Sequence, residues 1–199
     1  MSGAFPISNS AFSTMGIKSI QTTIISKSDS GKKLARQIDG QRFAFTADII
    51  TAKRSDVYGE LMAFIMKQRS GKENFTIVPP EVDDARGTAS GVPHGTASAG
   101  ATSITLGGSG SGTLLSGDFI KFSNHTKVYM VVADQSDIST GTLTIEPPLT
   151  TAVSSSTIVY DNIPFTVFLT NDVQEFGAVG ADKDGNVLYQ YQLDVEEAL

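Results

Sequence analysis

The chain has 199 residues, 40% of them hydrophobic and 18% charged, with a net charge of −6 and no cysteine. That length holds one large or two small domains with a real core, since roughly 70% of the unfolded surface is buried at this size. The acidic balance argues against a general nucleic-acid binder, and the missing cysteines exclude disulfides and thiolate metal sites.

Nineteen glycines with frequent Ser and Thr between short patterned runs predict a β-rich protein. The start, MSGAFPISNSAF, has neither a basic nor a long apolar region, so no secretory signal is expected. Apolar runs stay far below the roughly 18–20 residues that a membrane helix needs.

Residues 1–18 mix Ser, Gly, Pro and Asn with isolated Phe5, Phe12 and Met15, and read as an arm ordered only by docking. A strand is expected over 19–26, where Ile20, Thr22 and Ile24 share a side, followed by a turn at 28–31. The polar run 32–38 reads as an edge strand. Asp39-Gly40 carries the two-residue hairpin signal and leads into 41–50. There Phe43, Phe45, Ala47 and Ile49 alternate with Arg42, Ala44, Thr46 and Asp48.

The period then changes. Tyr58, Leu61, Met62 and Ile65 predict an amphipathic helix over 55–69, with Ser55 as N-cap and Gly71 just past its end. A strand over 74–78 stops at Pro79-Pro80. Residues 83–116 are poor in large apolar side chains; only 102–106 reads as a strand, and GGSGSG at 107–112 reads as a flexible surface loop. The segment SGDFIKFSNHTKVYMVV, 116–132, is the clearest hairpin: strands at 119–123 and 127–132 joined by Asn124-His125-Thr126. Strands follow at 142–146 and 157–160. Alternation then resumes in Phe165, Val167 and Leu169 and again from Val187 to Val195, after the turn Asp184-Gly185. Residues 86–162 are thereby expected to form a domain inserted into a carrier of 1–85 and 163–199, α+β or mostly β.

No catalytic, cofactor-binding or metal-ligating residue is assigned. The run Asp182-Lys183-Asp184-Gly185-Asn186 opens like a calcium loop, but position 12 falls on Leu193 where a carboxylate is required. His94 and His125 are the only imidazoles, lack clustered carboxylates, and are expected to be solvated loop residues. No G-x-S-x-G elbow or phosphate-loop motif is present. Asp83-Asp84 and Glu196-Glu197 are neighbours whose side chains diverge on extended backbone, so both pairs are expected on solvated faces. The aromatics of 86–162, Phe119, Phe122, Tyr129 and Tyr160, are expected to pack a core. With only Arg86, Lys121 and Lys127 as cations they make a poor single-strand funnel.

The segment GDFIKFSNHTKVYMV is similar to the corresponding segment of the distal tail protein of T-five-like long-tailed (siphovirus) bacteriophages. In both, a GD turn, an apolar strand and a histidine-bearing link lead into a KVY strand. Further landmarks recur in order: the helix at 55–69, the proline after 74–78, Gly87, the prolines after 142–146, Asn171-Asp172 near Phe176-Gly177, and the VEEAL end. The likeness covers roughly residues 55–199.

The resemblance implies a mostly β (α+β) fold: a tail-tube-like carrier of two sheets flanked by one helix, with an inserted barrel of oligonucleotide/oligosaccharide-binding (OB) type. It implies a non-enzymatic virion protein without cofactors, made in the host cytoplasm and placed at the distal end of the tail. Six copies would form a ring between the tail tube protein and the baseplate hub or tail tip proteins. No membrane is involved, and DNA passes only as transient cargo through the lumen. Two alternatives are a host-surface carbohydrate-binding module and another tube or terminator component.

Overall fold

A computed structural model describes residues 3–38, 40–80, 82 and 84–199. In chain order the strands are β1 (Phe12–Ile20), β2 (Thr23–Lys27), β3 (Lys33–Gln37) and β4 (Arg42–Lys53). Helix α1 (Gly59–Gln68) and β5 (Phe75–Ile77) follow. Next come β6 (Pro93–Ala97), β7 (Ser103–Gly108), β8 (Phe119–Phe122), β9 (Val128–Val131), β10 (Thr142–Glu146) and β11 (Val153–Val159). The chain closes with β12 (Phe165–Leu169), β13 (Gly177–Ala181) and β14 (Val187–Glu197). The fold is mostly β, with one α-helix among the described residues. The chain divides into two compact units, 10–74 with 168–199 and 1–9 with 75–167.

In the first unit β4 lies between β1 and β14, antiparallel to both, with Phe45 opposite Ile17 on one side and Val195 on the other. Burial alternates along β4: Phe43, Phe45, Ala47 and Ile49 are buried, as their spacing predicts. β13 pairs with β14. The second sheet is a two-stranded ribbon, β2 with β3. The expected hairpin between 32–38 and 41–50 does not form. Both edges of β4 are occupied by β1 and β14, so β3 turns back on β2 instead. Asp39, half of the hairpin signal, lies outside the described residues.

The N-terminal segment is more regular than its composition suggests. Residues 12–20 form a nine-residue strand, because the exposed edge of β4 supplies the partner that Ser, Gly and Lys cannot supply through burial. The expected strand over 19–26 is divided at residues 21–22 between β1 and β2.

The helix starts with a π-helical turn, Arg54–Tyr58, and Ser55 donates to Asp56 rather than capping α1. Tyr58, Leu61 and Ile65 are buried on its inner face. Its end is made by Arg69 and Ser70, at φ of 52° and 59°, and not by Gly71. Gly71 serves a different need: a Cβ there would lie 2.5 Å from the Leu169 carbonyl oxygen.

In the other unit β5 pairs with β12, Thr76 opposite Thr166. The remaining strands close a barrel in the order β10-β7-β6-β11-β8-β9, which fits the OB-like expectation with six strands in place of five. Its interior holds Ile104, Ile120, Phe122, Tyr129, Leu143 and Ile158, all essentially inaccessible.

One barrel strand and the glycine tract are poorly legible from sequence. β6, PHGTA, has no large apolar residue, because Gly95 lies against the Phe122 ring and Ile104; a Cβ there would meet them at 2.7 and 2.9 Å. The glycine tract is no flexible loop. Gly107 and Gly108 belong to β7, opposite His94 and Pro93. Beyond them Ser111 and Ser90 exchange both backbone hydrogen bonds at 2.9 Å. Gly112, at φ of 86°, passes so near Thr88 that a Cβ would lie 2.1 Å from its carbonyl oxygen. The tract is glycine-rich because backbone packs on backbone there.

Candidate functional site

The β8–β9 hairpin gives the barrel its most chemically articulated end. β8 and β9 pair with Ile120 opposite Tyr129, and the connection Asn124-His125-Thr126 folds back over Phe122. The His125 ring stacks on Phe122 at 5.8 Å and meets Tyr129 edge-on at 5.5 Å. Asn124 donates its amide N–H to the Ala152 carbonyl at 2.9 Å, which turns its oxygen toward His125. That oxygen can only accept, so His125 Nδ1 carries the proton and donates at 2.8 Å. Nε2 then accepts from the Tyr129 hydroxyl at 2.8 Å. The phenol oxygen in turn accepts from the Thr150 hydroxyl and backbone N–H, at 3.0 and 3.1 Å.

The neutral imidazole satisfies every group in this chain. Burial, with a smaller contribution from Lys121, holds the His125 pKa below its ordinary 6.5. His125 is half-buried, not the solvated loop residue expected, and His94 likewise sits half-buried within β6. An imidazole between two apolar rings buries more surface than one in water, and the ring spacing of Phe122, His125 and Tyr129 was the available sign.

Asp118 organises the other end of β8. Its carboxylate is inaccessible and accepts from the Arg86 backbone N–H and Nε, each at 3.1 Å, and from the Leu115 N–H at 2.8 Å. The Arg86 guanidinium also donates to the Ser116 carbonyl. Sequence pattern marks Gly117-Asp118 as a turn; it gives no sign that Arg86, 32 residues earlier, is the partner. One carboxylate thus ties the first residues of the barrel to the start of its central hairpin.

The aromatics of this unit are turned inward. Phe119, Phe122 and Tyr129 are buried, as expected, and Tyr160 is partly buried with its hydroxyl donating to Gly91 at 2.9 Å. Lys127 is buried, and Lys121 donates to the Pro164 carbonyl at 3.3 Å. An open hollow of about 400 Å³ lies beside the turn, lined by Lys121, Phe122, Asn124, His125, Val159 and Pro164.

The unit built on β4 offers a second surface. Tyr58, Tyr189, Phe176 and Tyr191 form an aromatic cluster, Phe176 stacking on Tyr191 at 4.7 Å. Burial raises the Tyr191 pKa far above the phenol range, so its hydroxyl stays a donor, here to Gln174. Beside it runs a cleft of about 340 Å³ lined by three carboxylates, Asp48, Glu175 and Asp194, by the amides Asn171, Gln174 and Gln190, and by Val173 and Val179.

Asp182, the first residue of the calcium-like run, pairs with Lys53 at 2.5 Å and accepts from the Asp184 and Asn186 N–H groups. The Lys53 ammonium, then Asn186, hold this carboxyl well below its usual range, and the same pairing raises Lys53. Glu196 and Glu197 do diverge as expected. Glu196 pairs with Arg42 at 2.6 Å, whereas Glu197 is buried and accepts from the Phe43 N–H at 3.1 Å, not solvated as expected. Asp83 lies outside the described residues; Asp84 accepts from the Asn162 N–H. Among the described residues no three His, Asp or Glu side chains stand together as metal ligands.

Residues 84–163 match the family model described as "Distal tail protein pb9, B domain". The curated proteins contain no match to the chain. The matched span is the barrel with its entry and exit segments, from Asp84 through β11.

Proposed function

We propose that this chain, whose residues 84–163 match the distal tail protein B domain, is a distal tail protein of a long-tailed bacteriophage and forms a ring of six copies joining the tail tube to the baseplate or tail tip. The family is one of structural tail proteins, so the chain is a component of the virion tail. The domain match carries this reading. The ring, the channel and the neighbours are its extension: the tail tube protein on one side, hub or tip proteins on the other, and DNA only in transit. The role is structural and not enzymatic, and synthesis falls in the host cytoplasm.

We take residues 1–85 and 163–199 as the carrier and 86–162 as the inserted, outward-displayed module. Such a division assigns ring contacts to the carrier. A net charge of −6 suits a lumen that must release DNA, since like charges keep the polymer from the wall. A basic lumen surface would contradict that part.

The deciding experiment is cryo-electron microscopy of intact particles, with the expected density at the junction of tube and tip. Density at the head end would instead favour a terminator, and negative-stain images of the purified protein add a second check: rings of six are expected, while long tubes would favour a tube component. The hollow beside His125 supports one further reading, a carbohydrate site on the barrel. Its lining offers Lys121, Asn124 and His125 as polar partners but no exposed aromatic platform. Binding of the full protein to a glycan array, lost on changing Lys121 and Asn124 to Ala, would establish it; an array without signal leaves the barrel as a spacer or docking platform.

A further inference from the structure

The β2–β3 ribbon does not obey the burial logic of the rest of the chain. Each of its ten residues is exposed, yet it carries Ile24 at 56%, Ile25 at 55% and Leu34 at 52% accessibility. An isolated two-stranded ribbon is marginal in water, and large aliphatic side chains left in solvent make it a docking element. Among the described residues no third strand pairs with it.

Its register sorts the side chains. Ile24 stands opposite Arg36 and Ser26 opposite Leu34, and Ile38, bonded through its N–H to Thr22, continues the same face. Cross-strand partners share a face. One face is therefore Ile24, Leu34 and Ile38 with Arg36, and the other is Ile25 and Ala35 with Lys27 and Lys33.

Charge indicates the partner. Residues 23–37 hold Lys27, Lys32, Lys33 and Arg36 against Asp29 alone, a net of +3, so the remaining residues carry −9 of the chain's −6. The cleft beside Tyr191 is lined by Asp48, Glu175 and Asp194 with no cationic residue, and it has exposed aliphatic side chains at its rim, Val173 at 83% and Val179 at 52%. Ribbon and cleft are complementary in both respects: aliphatic side chains flanked by cations on one, an apolar rim with carboxylates on the other.

We infer that the Ile24–Leu34–Ile38 face of the ribbon docks into the Asp48–Glu175–Asp194 cleft of a second copy of this chain. Such a contact joins two different surfaces, so each copy offers one of each, and repeated rotation closes a ring. This rests on the ring proposed above and names the surfaces that make it. The lysines of the opposite face fit the arrangement, since they deter indiscriminate strand addition while an acidic receptor accepts the ribbon.

The test uses the full chain in two variants, a ribbon variant with Ile24→Asp and Leu34→Asp and a cleft variant with Glu175→Lys and Asp194→Lys. Mass is read by sedimentation velocity, and the fold by circular dichroism. Wild-type protein is expected as a ring, and each variant alone as a folded monomer, with association weakened at least a hundredfold. Mixed one to one, the two variants are expected to give dimers and nothing larger, because only one competent ribbon–cleft contact remains between them. An Ile25→Asp control on the other face is expected to leave the ring intact.

Arg36→Glu and Glu175→Arg supply a second pair, each weakening the ring alone and restoring it when combined in one chain. Rings that persist in the ribbon variant, or a mixture that stays monomeric, overturn the ribbon–cleft contact and leave the ring reading standing. Wild-type protein that stays monomeric at all concentrations overturns both. Loss of the ring in the Ile25→Asp control equal to that in the ribbon variant overturns the assignment of the face.

Discussion

Asp118 is shut off from solvent, and its carboxylate is held by two backbone N–H donors and the Arg86 side chain. Changing Asp118 to Ala leaves the Arg86 and Leu115 N–H groups without their acceptor, a loss of about 2–4 kcal/mol in barrel stability by urea denaturation. Arg86→Ala is expected to cost less, about 1 kcal/mol. Its side chain is 60% exposed, so solvent screens the ion pair, and its backbone N–H still reaches Asp118.

His125 predicts a pH dependence. Its pKa is depressed in the folded barrel, so the unfolded chain binds the proton at a higher pH. Its contribution is complete above about 6.5 and is lost as pH falls from there through the folded value. Thermal midpoints at pH 7.5 and 5.5 should show the barrel melting earlier at the lower pH. His125→Phe should flatten that difference, and an unchanged difference would move the effect to other groups. The sequence named His125 as a turn residue correctly, and the spacing of Phe122 and Tyr129 was a sign of its burial, but only the folded turn closes both rings around it.

At the scale of elements, legibility followed the size of the apolar pattern. β4, β8, β9, β10 and β14 were readable because each buries a row of large side chains within its own unit. β6 and the glycine tract were not, because their contribution is thinness: Gly95 makes room for Phe122, and Gly112 lets two backbones approach. Gly112→Ala is expected to cost about 2–4 kcal/mol, combining a left-handed backbone with a collision at Thr88. A genuinely flexible loop would absorb that change with no loss in the denaturation midpoint.

The helix end gives an opposed pair of expectations. Arg69→Gly relieves a left-handed non-glycine residue and should stabilise the fold by about 1 kcal/mol. Gly71→Ala pushes a methyl group into the Leu169 carbonyl and should destabilise it. A position-by-position capping rule assigns these roles to the wrong residues, because the packing of Leu169 on Gly71 is a long-range contact.

For the whole molecule, excision of 87–162 with a short linker should leave a folded carrier that still assembles, since the ribbon and the cleft both lie outside the barrel. Circular dichroism and sedimentation of the deletion protein test this, and loss of all ordered structure would show that the barrel is not an independent insertion. The amino-acid sequence by itself determined the β-rich class, the central hairpin of the barrel and the likeness to distal tail proteins, because each rests on local periodicity or on an ordered set of motifs. Tertiary structure decided which strands became neighbours, why the glycines are required, and which charged groups are buried with partners. Those depend on contacts between residues far apart in the chain: Arg86 with Asp118, β4 filled on both edges, and an aliphatic ribbon left without cover.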